Sequence, residues 1–169
     1  MEKRSKYTAF DPSSVKTYPL RSRPNKVDVS GFADCVALRA AEIRYSKEPW
    51  YRDGVSGEGA DQSKGIAELA RYIVECRREG KPVILFSGAH PIKNGQAPII
   101  ADLIRHGIVT LYATNGASTI HSFELALTGA SSESVRDALP KGEFGMAFET
   151  GAYINFALKV GVERGMGYG

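Results

Sequence analysis

The sequence predicts an α/β protein in which helices flank a parallel sheet. Two apolar runs, Val83–Phe86 and Ile108–Ala113, are each followed by a glycine-bearing turn and then by a helical pattern. Strand, turn and helix repeated in this order form the unit from which α/β proteins build a crevice for a polar ligand. Phe144–Phe148 adds a third predicted strand. Because buried parallel strands need neighbours on both sides, three strands predict a sheet that is apparently incomplete within this chain.

The composition is that of an ordinary globular protein. The chain has 169 residues, 43% hydrophobic and 24% charged, which is enough for one domain with a core. Its net charge of +3 is too small to indicate a specific nucleic-acid partner. Residues 1–30 carry seven basic side chains against three acidic ones. We therefore predict a basic, extended N-terminal arm over 1–31, either a solvated tail or a contact for an acidic partner, and an α/β domain over 32–169.

Cysteine and hydropathy patterns exclude several classes of protein. Cys35 and Cys76 have no CxxC spacing and no clustered histidines near them, so neither a metal site nor a disulfide framework is predicted. No apolar run approaches the roughly 18–20 residues that span a bilayer, and the first thirty residues lack the apolar middle of a secretory signal. We therefore expect a cytoplasmic protein with no membrane partner.

The first half of the chain is predicted to approach the crevice. A short strand is expected near Lys26–Val29 and a helix over Phe32–Ile43. The glycine-rich loop around Trp50 is either a ligand lid or, as we favour, an anchor that fixes a long connection to the core. Gln62–Glu79 has apolar residues at helical spacing and is ended by Gly80, which predicts an amphipathic helix.

The first crevice turn runs from Ser87 to Gly95 and includes Gly88. Asn94 or Gly95 is expected to cap a helix over Gln96–His106, with Pro98 in its first turn. The N-terminus of a helix favours phosphate or carboxylate because its amides are unpaired and its dipole is positive. The turn matches neither G-x-G-x-x-G nor G-x-x-x-x-G-K-[ST], so it predicts an anion site without a standard fingerprint.

The second crevice turn, Thr114–Ser118, carries the more informative residues. Ser118 is expected to cap a helix over Thr119–Thr128. On that helix His121 and Glu124 are three residues apart and therefore neighbours. They are either placed to meet a ligand at the end of the strand or form a capping and surface pair.

The last part of the chain is predicted to begin another layer. Ser131 or Ser132 is expected to cap a short helix through Leu139. The strand Phe144–Phe148 then leads into Glu149-Thr150-Gly151 and a helix from about Ala152 to Arg164 that is apolar almost all round. Such a helix should be buried on several sides. We therefore expect a larger protein, a homo-oligomer or a second chain that completes the sheet.

One segment of the chain resembles the NAD-binding domain of archaeal-type ornithine cyclodeaminases and related LOR/SDH-like proteins. It runs from Asn115 to Glu124 and continues with Ala126, Leu127, Gly129 and Ser131. The pattern of that family is close to G-N-A-x-x-x-H-D-I-E-x-x-L-x-G-x-S. More loosely, the region is similar to deoxyhypusine synthase. The likeness covers about Lys81 to Val160. In this sequence Asn115-Gly116 reverses the Gly-Asn of the family, and Ser122 replaces the acid after the histidine.

The resemblance implies a Rossmann-like domain, NAD as cofactor, and oxidation of a small amine or amino acid through an imine. It implies that His121 and Glu124 are catalytic. Together with the turn geometry above, it gives these cofactor-binding candidates: Gly88, Asn94, Gly95, Asn115, Gly116, Ala117, Ser118, Glu149, Thr150 and Gly151. The chain has no counterpart of the segment that bears the imine-forming lysine of deoxyhypusine synthase, so we do not predict hypusine formation.

Two other classes of function stay open from the sequence. The chain is alternatively a non-catalytic ligand-binding or assembly subunit whose turns bind a phosphate- or carboxylate-bearing ligand. A hydrolase using Ser87 or Ser118 with a histidine is less favoured, because the sequence contains no G-x-S-x-G elbow.

Overall fold

A computed structural model describes residues 7–9, 11–45 and 60–168, and these residues have an α/β structure. Within them four short strands pair two by two, β1 with β4 and β2 with β3. The strands are β1 (Asn25–Asp28), β2 (Ile84–Phe86), β3 (Leu111–Ala113) and β4 (Ala130–Glu133). The seven α-helices of this part of the chain are α1 (Cys35–Tyr45), α2 (Ala60–Arg78), α3 (His90–Lys93), α4 (Ala97–Arg105), α5 (Gly116–Thr128), α6 (Val135–Ala138) and α7 (Phe148–Glu163). The α/β class is confirmed, whereas a Rossmann-like sheet stays a prediction, and the loop around Trp50 lies outside the described residues.

The chain divides into two compact units. The central unit is Val27–Ser131, and the terminal unit combines the described residues as far as Lys26 with those from Ser132 on. Both candidate crevice turns belong to the central unit, whereas Glu149-Thr150-Gly151 belongs to the terminal unit.

The central unit contains the predicted parallel strand pair. Strand β2 pairs with β3 in parallel, with Ile84 opposite Leu111 and Phe86 opposite Ala113. The amide of Ser87 continues the ladder by donating to the Ala113 carbonyl at 3.0 Å. Because parallel strands end at the same edge of a sheet, the two glycine-bearing turns begin side by side.

The burial predicted for the apolar elements is wrong for the part of the chain that the structure describes. Phe86 is 75% exposed and Leu111 is 52% exposed, although a strand buried on both faces was expected. On α7, Tyr153 is 57% exposed and Phe156 65% exposed, although this helix was expected to be buried on several sides. An apolar face is covered when another layer packs on it, and the described residues do not supply that layer here.

Several elements match the sequence prediction closely. Strand β1 forms near the expected position, and α2 ends before Gly80, whose φ is +74°. Helix α1 begins at Cys35 because the carboxylate of Asp34 accepts hydrogen bonds from the amides of Val36 and Ala37 at 2.9 and 3.0 Å. Pro98 lies in the first turn of α4, as predicted.

The first crevice turn is more helical than predicted. Helix α3 occupies its middle, with Pro91 in the first turn of that helix, where proline is tolerated. Gln96 is the N-cap of α4, so neither Asn94 nor Gly95 caps that helix, and Asn94 instead ends α3. Gly95 lies outside both helices because its φ of +78° is left-handed. Its carbonyl accepts a hydrogen bond from the Ala33 amide at 2.8 Å.

Both serine caps that the sequence predicted are wrong. Helix α5 begins at Gly116 with Asn115 as its N-cap, so Ser118 lies inside the first turn. Ser131 and Ser132 belong to strand β4, and the N-cap of α6 is Ser134. The chain enters β4 early because Gly129 adopts φ +75° and ends α5 at once.

The third predicted strand is also wrong. Over Phe144–Phe148 the backbone makes a single bridge, between Ala147 and Tyr18. Helix α7 begins at Phe148 instead of Ala152, so Glu149-Thr150-Gly151 forms its first turn and not a loop before it.

Gly95 and Gly107 form a matched pair for testing the central unit. Both have left-handed φ, +78° and +66°, but a Cβ on Gly95 would lie 2.7 Å from the Gly31 carbonyl oxygen, whereas a Cβ on Gly107 meets nothing within 4 Å. We expect Gly107→Ala to cost about 1–2 kcal/mol from backbone strain. Gly95→Ala should cost about 1–3 kcal/mol more, because the backbone must also move. Equal free energies of unfolding in urea would contradict the close approach.

Candidate functional site

The candidate site lies where strands β2 and β3 end. A Cβ built on Gly88 would stand 3.7 Å from the side-chain nitrogen of Asn115, which is ordinary contact distance. Gly88 follows β2 and Asn115 follows β3, so the structure brings one predicted cofactor residue from each turn together. Helix α3 of the first turn packs against α5 of the second. The two turns therefore meet at this edge, whereas a ligand crevice there stays a prediction.

The N-terminus of α5 is open at this edge. Asn115 has extended backbone angles, and its carbonyl accepts from the Ser118 amide at 2.9 Å, but its side chain makes no capping hydrogen bond. Gly116 and Ala117, the first residues of the helix, are exposed. A helix of thirteen residues whose first turn lacks a side-chain cap presents amides and a positive dipole end to an anion.

Ser118 lies beneath that first turn. It is 1% exposed, and its hydroxyl is hydrogen-bonded to the hydroxyl of Thr114. This bond links the residue after β3 to the first turn of α5. Ser118 therefore connects the end of β3 to the first turn of α5 through a buried contact, and its role as a cofactor residue stays a prediction.

One face of α5 carries a buried polar network formed by His121, Ser131 and Glu124. The Ser131 hydroxyl donates to Oε2 of Glu124 at 2.7 Å, and Nδ1 of His121 lies 2.7 Å from the same hydroxyl oxygen. Glu124 is 1% exposed and Ser131 is 0% exposed, whereas His121 is partly exposed. The pair predicted from the sequence is thus connected, but through a third residue.

The hydrogen bonds of this network suit one tautomer of the imidazole. A serine hydroxyl has one proton, and Ser131 is placed to donate it to Glu124. In that arrangement the Ser131 oxygen would accept from His121, and Nδ1 would carry the proton. In a neutral imidazole the remaining ring nitrogen, Nε2, is the proton acceptor.

A sharp change of direction brings Ser131 back to the helix. Gly129 ends α5 with φ +75°, and Ser132 has φ +70°, a left-handed value that serine rarely adopts. Such strain is tolerated where the surrounding contacts impose it, and here it accompanies the buried bonds of Ser131. Ser131 stood in the sequence pattern that carries the family resemblance, but it was interpreted as a helix cap.

Gly95 and Glu149, two of the other predicted cofactor residues, make contacts within the fold. Gly95 is buried against the backbone of Gly31, and Asn94 is exposed at the end of α3. In the terminal unit, Oε2 of Glu149 accepts a hydrogen bond from the Leu20 amide at 2.7 Å. That bond and the one from its own amide lower the pKa of the Glu149 carboxyl below its usual 4.5.

Two kinds of feature are absent from the residues that the structure describes. Over these ranges no group of three or more histidine, cysteine, aspartate or glutamate side chains is arranged to hold a metal ion. Nor does any helix within them combine the length and the apolar character that crossing a membrane requires.

Comparison with known proteins gives one weak partial relative. The chain is similar to an ornithine cyclodeaminase of Methanothermobacter thermautotrophicus, with 33% identity over 66 residues. The match covers 39% of this chain and 16% of that enzyme, so the chain corresponds to about one sixth of the length of its relative. No protein-family model and no solved structure matches the chain. The looser resemblance to deoxyhypusine synthase finds no support in these comparisons.

Removing the Ser131 hydroxyl should destabilise the central unit. Ser131→Ala leaves the buried Glu124 carboxylate without this donor, and a lost buried partner of this kind costs about 1–3 kcal/mol. The control is Ser122→Ala, which removes the hydroxyl of an exposed serine on α5. It should change the free energy of unfolding by less than about 0.5 kcal/mol. Urea denaturation measures both. Similar values for the two variants would show that the network does not stabilise the unit.

The hydrogen bond to Glu149 should give the terminal unit a pH-dependent stability. The pKa of this carboxyl is lower in the folded chain than its usual 4.5, so the ionised group stabilises the fold above pH 4.5 and this effect is lost as the pH falls through the lower folded value. The stability difference between wild type and Glu149→Gln should therefore shrink below about pH 4.5. Denaturation at several pH values tests this, and Glu163→Gln, at the other end of α7, removes a carboxylate without touching the bond. A constant difference would contradict it.

Proposed function

We propose that the central unit is an NAD-binding domain that oxidises a small amine or amino acid through an imine. The observation that carries the proposal is the buried polar network that joins His121 and Glu124 through Ser131. Both predicted catalytic residues lie on α5, about one to two turns after its open N-terminus. The partial similarity to an ornithine cyclodeaminase supports the choice of chemistry, because cyclodeamination of an amino acid by such enzymes employs NAD.

The open first turn of α5 is the proposed site for the anionic part of the cofactor. Asn115, Gly116 and Ala117 would hold it, since a phosphate is favoured where helix amides and a positive dipole end are exposed. Gly88, which has no side chain and lies next to Asn115, leaves room for close approach. Ser118 supports this turn from beneath through Thr114. NAD supplies the hydride acceptor of the reaction.

Asn94 and Gly95 are proposed as an outer part of the same site, because they follow α3, which packs against α5. Glu149, Thr150 and Gly151 begin α7 in the terminal unit, and their role as cofactor residues stays a prediction of the family resemblance alone. Within that unit the Glu149 carboxylate accepts a hydrogen bond from Leu20.

His121 is the proposed proton acceptor. As a hydride leaves the substrate carbon and the carbon–nitrogen double bond forms, the nitrogen must lose a proton, and Nε2 of a neutral His121 can take it. Glu124 is 1% exposed, which favours a positioning role for it: through Ser131 it fixes the tautomer and orientation of the imidazole. The prediction that both residues act on the substrate is therefore refined to one acceptor and its support.

A titration with NAD tests the proposal. Binding should raise the melting temperature, since ligand at 100 times its Kd adds about 2.7 kcal/mol of stability. His121→Gln should keep this shift and lower amine-dependent NADH formation by about 10²–10⁴-fold, the usual contribution of general base catalysis. Ser122→Ala, one position along the same helix, is the matched control and should keep both activities. Absence of any thermal shift at millimolar NAD would overturn the proposal.

A non-catalytic ligand-binding subunit is the second candidate. The uncapped N-terminus of α5 favours it, because that feature binds an anion without needing any chemistry. In that case phosphate-bearing ligands would stabilise the protein, but no amine would give NADH, and His121→Gln would change nothing except stability.

The exposed apolar strands are the basis for proposing further covering structure. Phe86 and Leu111 face solvent in the described part of the chain, and burial of such side chains is favourable. We propose that a second copy of the chain or a further segment of a larger protein covers them, which keeps the homo-oligomer prediction as a proposal.

A further inference from the structure

The terminal unit contains a cavity that the proposed NAD chemistry does not use. Its volume is about 280 Å³. This is close to the lower end of the range for small-molecule sites, about 300–1,000 Å³. The cavity is lined by Tyr18, Ser22, Arg23, Pro24, Glu133, Ser134, Asp137, Ala138, Lys141 and Glu143.

A buried ion pair forms part of the cavity wall. The side chains of Arg23 and Glu133 are 6% and 9% exposed, and Nη1 of the arginine lies 3.6 Å from Oε1 of the glutamate. The Tyr18 hydroxyl donates to Oε2 of Glu133 at 3.0 Å, and the Gly145 amide donates to Oε1 at 2.8 Å. Nε of Arg23 donates to the side chain of Asn25 at 2.9 Å. The charged groups are thus held by several bonds in fixed positions.

Tyr18 is kept as a hydrogen-bond donor in this wall. Burial raises the pKa of its phenol, and the neighbouring Glu133 carboxylate raises it further. The hydroxyl therefore stays protonated at neutral pH and continues to donate to Glu133.

A buried ion pair such as the one between Arg23 and Glu133 adds little net stability to a fold. Moving two charges out of water costs about as much as their attraction returns, and well-packed apolar residues often stabilise a protein equally well. Polar groups fixed in position around an open volume are, in contrast, typical of sites that orient a ligand.

The rim of the cavity carries charged side chains of both signs that form no ion pair within the described part of the chain. Asp137, Lys141 and Glu143 are exposed, and within the described ranges their side chains make no hydrogen bond or ion pair. Pro24 and Ala138 add apolar surface to the same lining. The rim therefore offers one cation, two anions and a small apolar wall.

We propose that this cavity binds a small zwitterion, an α-amino acid with a short aliphatic side chain. Lys141 would contact the carboxylate, and Asp137 or Glu143 would contact the ammonium group, while Pro24 and Ala138 would pack on the side chain. The charged wall formed by Arg23 and Glu133 keeps the interior polar. This inference stands on the terminal unit alone and does not rest on the proposed NAD chemistry.

Three molecules that share the isobutyl group test the proposal on the full chain without NAD. Valine carries both charges, isobutylamine lacks the carboxylate and isovalerate lacks the ammonium group. In ¹H–¹⁵N spectra valine should shift the amides of Ala138 and Glu143 in a saturable way, with Kd on the order of 1 mM. The two singly charged molecules should bind at least about tenfold more weakly, since each lacks one charge-assisted contact. No saturable shift with valine, or equal affinity for all three, would overturn the proposal.

Substitutions at the rim locate the site. Lys141→Met and the double variant Asp137→Asn/Glu143→Gln remove exposed charges, so folding should be unaffected, and each should weaken valine binding by about tenfold. Lys159→Met and Glu163→Gln remove the same two kinds of charge from exposed positions on α7 outside the cavity lining and should leave the affinity unchanged. Valine binding that is insensitive to both rim variants would place the ligand elsewhere and contradict the assignment. A failure here would leave the NAD titration unaffected.

Discussion

The buried carboxylate of Glu124 is the constraint on which the candidate site depends. A carboxyl group that is 1% exposed is costly to bury unless hydrogen bonds compensate for the lost water. Ser131 provides one such bond from strand β4, a separate element, so the helix and the strand are coupled by a polar requirement as well as by packing. Nδ1 of His121 is hydrogen-bonded to the same hydroxyl, and this places the histidine under the same constraint.

The backbone after α5 is shaped by this requirement. Ser131 reaches its partners because Gly129 turns the chain with a left-handed φ, and Ser132 accepts a left-handed φ directly after it. A strained serine beside two buried hydrogen bonds is understandable, because the bonds are lost if the strain relaxes. Leu125, next to Glu124 in sequence, is also buried and adds apolar contact to the same helix.

Local patterns in the sequence were sufficient for some elements and not for others. The amphipathic period of α2 and the paired strand–turn–helix units around β2 and β3 could be read directly, because hydrophobic spacing determines them. Strand β4 could not, since its residues Ala-Ser-Ser-Glu have no apolar alternation and it forms by pairing with β1 far away in the chain. For the same reason the helical spacing predicted His121 and Glu124 as neighbours but could not show that Ser131 joins them.

The open helix N-terminus and the buried network lie at different positions along α5. The two proposed roles, anion binding and proton transfer, would therefore belong to different parts of the helix. An anion at the first turn would be held by backbone amides and the helix dipole, which need no ionisable side chain. The ionisable groups follow about one to two turns later on the same rigid helix, at His121 and Glu124. Binding of charge and transfer of a proton would thus be performed by different parts of one element whose spacing is fixed by its hydrogen bonds. With that arrangement a substitution at His121 would affect the proposed proton transfer without changing the proposed anion site, which is the physical reason for measuring NAD binding and turnover separately.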